Sequence, residues 1–101
     1  MRYWILEDMR PKRAELMEWA RWVEDADRRI DVTNVGNVKI STIFLGGVSL
    51  DSDVDLPRLF ETMIFGGPLD QFQQRYRTLG EAKQGHCAAV EKVKNEIANM
   101  N

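Results

Sequence analysis

The sequence predicts an α+β fold, a small antiparallel sheet of about four strands with an N-terminal and a C-terminal helix packed on it. Two stretches carry apolar residues at steps of three and four, one from about Ala14 to near Asp27 and one from Thr78 onward. Four short stretches between and before them are rich in β-branched, aromatic and aliphatic residues. The connections between these stretches are short, and antiparallel neighbours are what short connections permit. At 101 residues the chain is long enough for one core and too short for two, so residues 1–101 form a single domain.

The first strand is read at residues 3–6, Tyr-Trp-Ile-Leu, with a turn announced by Glu7, Asp8 and Pro11. Helix one follows, because Leu16, Trp19, Ala20 and Val23 share one face and Glu15, Glu18, Arg21 and Glu24 the other. Residues 28–34 and 38–45 flank Val35-Gly36-Asn37 and make a β-hairpin, with Gly36 or Asn37 taking the positive-φ position. Gly46-Gly47-Val48 ends its second arm, and residues 49–57 form a polar, acidic loop. Residues 59–65 alternate Leu59, Met63 and Phe65 with Phe60, Thr62 and Ile64 and read as a strand, stopped by Gly66-Gly67-Pro68. Residues 69–77 read as a linking segment. Thr78-Leu79-Gly80-Glu81 then has the form of a capping box and opens the last helix, whose buried stripe is Ala82, His86, Val90, Val93, Ile97 and Met100. On both faces the hairpin and the strand after it are apolar, which leaves Ile43, Leu45, Phe60 and Ile64 wanting cover and points to a homo-oligomer.

Composition narrows the function. Hydrophobic residues make up 44% and charged residues 30% of the chain, an ordinary globular balance. A formal charge of −2 with mixed signs gives no basic stripe for a phosphate backbone, so long nucleic acid is not an expected partner. The N-terminal apolar run is too short for a signal core or a membrane span, and one cysteine, Cys87, makes no intrachain disulfide. A cytoplasmic protein with no membrane partner is expected.

Catalytic equipment is sparse. The only imidazole, His86, and the only thiol, Cys87, are adjacent on a helix and point about 100° apart, so they form no nucleophile–base pair. His86 reads as a structural histidine on the packed stripe and Cys87 as a small filler. One His and one Cys make no zinc site. Asp51, Asp53 and Asp55 open like a calcium loop, but Leu56 and Thr62 stand where that loop needs its glycine and its glutamate. No enzyme, metal or cofactor is expected.

Two constellations suit an anionic ligand. In the first, Gly66 and Gly67 share a stretch of chain with Arg75 and Arg77, which precede the capped helix start at Thr78; Phe60 or Phe65 offers a stacking face. In the second, Arg21, Trp22 and Arg28 put guanidinium groups beside an indole. The plainer alternatives are solvated arginines, a core Tyr76 and a core or interface Trp22.

Several blocks in order, Glu18-Trp19-Ala20-Arg21-Trp22, Asp27-Arg28-Arg29, residues 38–46 (VKISTIFLG), residues 59–67 (LFETMIFGG), Arg75-Tyr76-Arg77-Thr78, Glu81-Ala82 and Gly85-His86, resemble a widespread family of small phage-encoded proteins. That family is similar to the phage Thoeris anti-defence proteins. The resemblance implies a homo-oligomer that binds a cyclic nucleotide immune signal, such as a cyclic ADP-ribose variant or a cyclic oligonucleotide, in pockets at subunit junctions and does not cleave it. Between Gly46 and Pro57 the chain departs from the family, having Gly47-Val48-Ser49-Leu50 where relatives carry a Leu-Asp-His type loop. Two other readings stay open: a protein-binding inhibitor of a host defence factor, and a small structural or accessory phage protein.

Overall fold

The computed structural model describes residues 2–45, 48–49 and 58–99. In chain order the elements are β1 (Arg2–Glu7), β2 (Arg10–Ala14), α1 (Leu16–Asp25), β3 (Arg29–Val35), β4 (Val38–Phe44), β5 (Val48–Ser49), β6 (Phe60–Phe65), β7 (Gln73–Tyr76) and α2 (Leu79–Ala98). They make two antiparallel sheets, β2-β1-β5 and β3-β4-β6-β7.

This corrects the expected single sheet with both helices on it. β1 does not join the larger sheet; it turns through Asp8 and Met9, both at positive φ, and pairs with β2 from Tyr3↔Ala14 to Glu7↔Arg10. Helix α1 accordingly starts later than expected and lies mainly against β1, with Trp22 reaching Phe44, while α2 packs on β3, β4, β6 and β7. The 69–77 linker is not all linker, since Gln73–Tyr76 is an edge strand paired with β6.

The hairpin forms as the alternation dictates, Val35↔Val38 closing on a turn with Gly36 at φ 58°. Across β4 and β6 the register is Phe44↔Phe60, Thr42↔Thr62 and Ile40↔Ile64, and all six residues are fully buried beneath α2. Phe60 and Ile64 therefore have the cover that the sequence reading thought missing. On the opposite face, Ile43 and Met63 are half-buried, and Val32 and Phe65 are exposed at 38% and 40%.

Two apolar clusters hold the domain. Trp4, Phe44, Leu59, Phe60, Tyr76 and Ala82 form one, with Trp22 and Ile30 against it; Val38, Ile40, Ile64, Ala89, Val90 and Val93 form the other. Burying each large side chain contributes about 1.5–3 kcal/mol. The expected stripe of α2 is buried at Ala82, His86, Val90 and Val93, with Ile97 packed beside it, and Met100 lies outside the described residues.

Candidate functional site

β7 is one edge of the larger sheet, and its sequence Gln-Gln-Arg-Tyr buries only Tyr76. Alternation places Gln74 and Tyr76 toward α2 and Gln73 and Arg75 on the other face, opposite Met63 and Glu61. Glu61 is the one charged residue of β6 and is only 6% exposed. A charge so buried must be paired. Arg75 Nε donates to Glu61 Oε2 at 2.9 Å, and Gln73 Nε2 donates to the same oxygen. The pairing holds the half-exposed Arg75 guanidinium in one place. Arg58, Gln73, Gln74 and Arg75 line an open polar groove of about 410 Å³ along this edge, within the size range of small-ligand sites. Two guanidinium groups and two amides in one groove can grip an anion and hydrogen-bond its neighbouring hydroxyl or base edges.

The register also decides which of the sequence-derived residues meet. Phe44, Phe60 and Tyr76 form one row across β4, β6 and β7. Arg28 accepts from the Phe44 amide through its carbonyl and donates from Nη1 to Leu45 O at 3.3 Å, so it stands at this same end. Arg58, Arg77 and Thr78 flank the row too, because they adjoin Leu59 and Tyr76 in sequence. Trp22 joins them, its indole edge-on to Phe44 at 5.6 Å. Thus Arg28 and Trp22 share one end of the sheet with Arg77, Thr78 and the start of α2. The two constellations read as rivals are neighbours, roughly three strand spacings or ~14 Å apart across the sheet.

The glycine turn does not join them. Gly66 and Gly67 follow the other end of β6, about six residues or ~20 Å from the row of Phe60 and Tyr76 beyond which Thr78 lies. Their positive φ values, 93° and 70°, serve packing: a Cβ would lie 3.1 Å from Asn37 O at Gly66 and 2.8 Å from Val38 Cγ2 at Gly67. The Gly66 amide donates to Asp70 Oδ1 at 2.6 Å, so the nearest charge is negative. Phe65 sits at that far end with Lys39 Nζ 5.8 Å from its ring, and Phe60 is fully buried against Phe44, so neither offers a stacking face beside the arginines.

The capping box is formed in full. Glu81 N donates to Thr78 Oγ1, and Thr78 N donates to Glu81 Oε1. Glu81 therefore already sits where an anion was expected, and the pull on a ligand rests on the arginines more than on helix amides. Arg21 is exposed on α1. Arg29 is committed elsewhere, donating through Nε, Nη2 and its amide to the Asp27 carboxylate; those bonds hold Asp27 below the ordinary carboxylate range and raise Arg29.

His86 has the structural role expected of it. It is 2% exposed, with Nδ1 2.7 Å from Thr42 Oγ1, Nε2 2.8 Å from Thr33 Oγ1 and Asp31 Oδ2 3.7 Å away. Thr42 also bonds Thr62, and neither hydroxyl reaches the surface, so the chain of groups ties α2 to three strands in place of meeting a substrate. Cys87 is exposed on α2 and fills no gap, contrary to the sequence reading. Among the described residues no His, Cys, Asp and Glu cluster could hold a metal ion, and no helix is long and apolar enough to cross a membrane. Gly46, Gly47 and the 50–57 segment, including the calcium-like aspartates, lie outside the described residues.

Sequence reasoning missed Arg58, Glu61, Gln73 and Gln74. Glu61 gave the one available signal, a charged residue between Phe60 and Thr62 in a strand read as apolar on both faces. No family model, curated protein or solved structure matches the chain.

Proposed function

We propose that the protein binds a small anionic ligand of the nucleotide class and holds it without covalent chemistry. The observation that carries this reading is the groove at the β7 edge, where Arg58 and a Glu61-braced Arg75 stand with two glutamine amides. Arg28 and Arg77 lie at the same end of the sheet and add to the positive potential that steers an anion there. The resemblance to phage anti-defence proteins narrows the ligand to a cyclic nucleotide signal in the host cytoplasm, with the protein acting as a sponge. A sponge turns nothing over, so it must hold its ligand at nanomolar strength, about −12 kcal/mol. Several charge-assisted hydrogen bonds at about 1.5–3 kcal/mol each, together with base contacts, reach that range.

A thermal-shift panel of cyclic mononucleotides, cyclic dinucleotides and cyclic ADP-ribose isomers tests the reading. A true ligand at 100 times its dissociation constant adds about 2.7 kcal/mol of stability. A flat panel, with inorganic phosphate and linear nucleotides equally silent, counts against it. The protein-binding reading has an observation of its own, the exposed Val32 and Phe65 on the sheet face opposite α2. It predicts a silent panel and capture of a host protein that Phe65→Glu abolishes.

A further inference from the structure

Glu61 does more than pair a charge: it fixes which end of a neighbouring amide the groove presents. The register sets Arg75 opposite Glu61 and Gln73 opposite Met63, all on the sheet face away from α2. Arg75 donates from Nε and Gln73 from Nε2 to one and the same oxygen, Glu61 Oε2. A carboxylate only accepts, so the Gln73 amide meets it through nitrogen. That leaves the carbonyl Oε1 as the end of the amide presented to the groove that Gln73 lines. Arg75 is fixed in the complementary sense. With Nε committed to Glu61, its outward edge is the two Nη groups, which only donate. Because the two donors share an oxygen, they lie within about 6 Å of each other. Hydrogen bonds to a buried charge are roughly twice as strong as neutral ones, so both orientations are held before any ligand arrives.

We infer that Gln73, held by Glu61, is the specificity-determining residue of the groove and selects nucleotides that carry a hydrogen-bond donor beside their phosphate. This rests on the nucleotide reading above and names the feature of the nucleotide that is read. Arg58 and Arg75 take the phosphate; Gln73 Oε1 takes the donor, which is an exocyclic amino group of the base or the ribose 2′-hydroxyl. An unbraced glutamine amide would distinguish little, because a half-turn about its last torsion exchanges C=O for NH2. Glu61 removes that freedom, since a turned Gln73 would set its carbonyl oxygen against a buried carboxylate. A ligand with an acceptor in the donor's place then meets acceptor with acceptor. Glu61 is thus a positioning residue, acting on the ligand through Gln73 and Arg75.

NMR and calorimetric titrations to millimolar concentration test it, with 3′,5′-cyclic AMP and cyclic di-AMP as parent probes. Each is compared with its inosine counterpart, which has a carbonyl oxygen in place of the amino group, and with its 2′-deoxy counterpart, which lacks the hydroxyl. In the wild type one of the two substitutions is expected to weaken binding by about three- to tenfold, the loss of one hydrogen bond, and so to identify the donor. Gln73→Met keeps the Glu61–Arg75 pair and removes the carbonyl; parent and analogue are expected to bind it alike, at the analogue's affinity. Glu61→Gln, whose own amide can turn, frees Gln73 and is expected to bring the same ratio toward one with unchanged circular dichroism. Equal affinities across the wild-type series overturn the inference and leave the nucleotide reading standing, as does a ratio that survives Gln73→Met. Silence from every probe also overturns it, since adenine nucleotides carry both donors; the thermal-shift panel then decides separately whether the nucleotide reading falls too.

Discussion

The two helices are built on opposite plans. α2 buries Ala82, His86, Ala89, Val90 and Val93, starts in a reciprocal capping box and spans four strands; α1 has no fully buried residue and no side-chain cap, and leans mainly on β1 with Trp22 reaching Phe44. Tertiary burial supplies most of the stability of a helix in water, so α2 and its sheet form the unit that fixes the fold. The β1–β2–α1 unit is joined to it chiefly by Trp4 and Trp22, which reach into the cluster around Phe44. Stability therefore concentrates in one part of the molecule, and the exposed apolar surface of α1 in the other.

The largest effect is expected where α2 is tightest. Gly85 lies under the Tyr76 ring, and a Cβ there would stand 2.1 Å from its Cζ and Oη. Gly85→Ala should cost about 2–3 kcal/mol, read as a lower midpoint in urea with an unchanged slope. Tyr76→Phe should cost almost nothing, because the buried Tyr76 hydroxyl has no hydrogen-bond partner. A large loss with Tyr76→Phe would show that this hydroxyl is satisfied in solution.

The caps give the next comparison. Thr78→Ala removes the hydroxyl that accepts from Glu81 N and keeps the backbone half of the box, and should destabilise by about 1 kcal/mol. Glu15→Ala, at the N-cap of α1, should change stability by only a few tenths of that, since no side-chain bond is lost. Equal losses at the two positions would erase the contrast drawn between the helices.

The smallest effect is electrostatic. Hydrogen bonds from Arg29 depress the Asp27 carboxyl below its ordinary 3.8. A depressed carboxyl stabilises the fold above its unfolded pKa and loses that contribution as pH falls through the folded value. Asp27→Asn should flatten the acid limb of the stability curve slightly and leave neutral pH almost unchanged, because the group is fully exposed. A steeper acid limb in the variant would reverse the assigned sign.

The same contrast explains what could be read in advance. The hairpin, β6 and α2 were legible because each buries one face, and burial imprints a period of two or 3.6 on the sequence. β2 and β7 were not. Arg-Pro-Lys-Arg-Ala has no fully buried residue and Gln-Gln-Arg-Tyr has one, so neither edge strand leaves an alternation to find. Missing β7 also misplaced the site. Read as a linking segment, residues 69–77 could bring Arg77 back to Gly66 and Gly67; with Gln73–Tyr76 an extended strand they carry it to the far end of β6. Arg75 and Arg77 were legible as anion-binding types, but the brace from Glu61 depended on a strand pairing that no local pattern announced.

Isothermal titration of wild type and Arg58→Ala with the best ligand of the cyclic-nucleotide panel tests the central claim most directly. Arg58 lines the groove without being the partner of Glu61, so its removal leaves that buried pair intact. The groove reading predicts saturable binding by the wild type and a loss of roughly ten- to a hundredfold in the variant, with thermal stability unchanged in the absence of ligand. Equal affinity in the two proteins would place the ligand elsewhere and contradict the account.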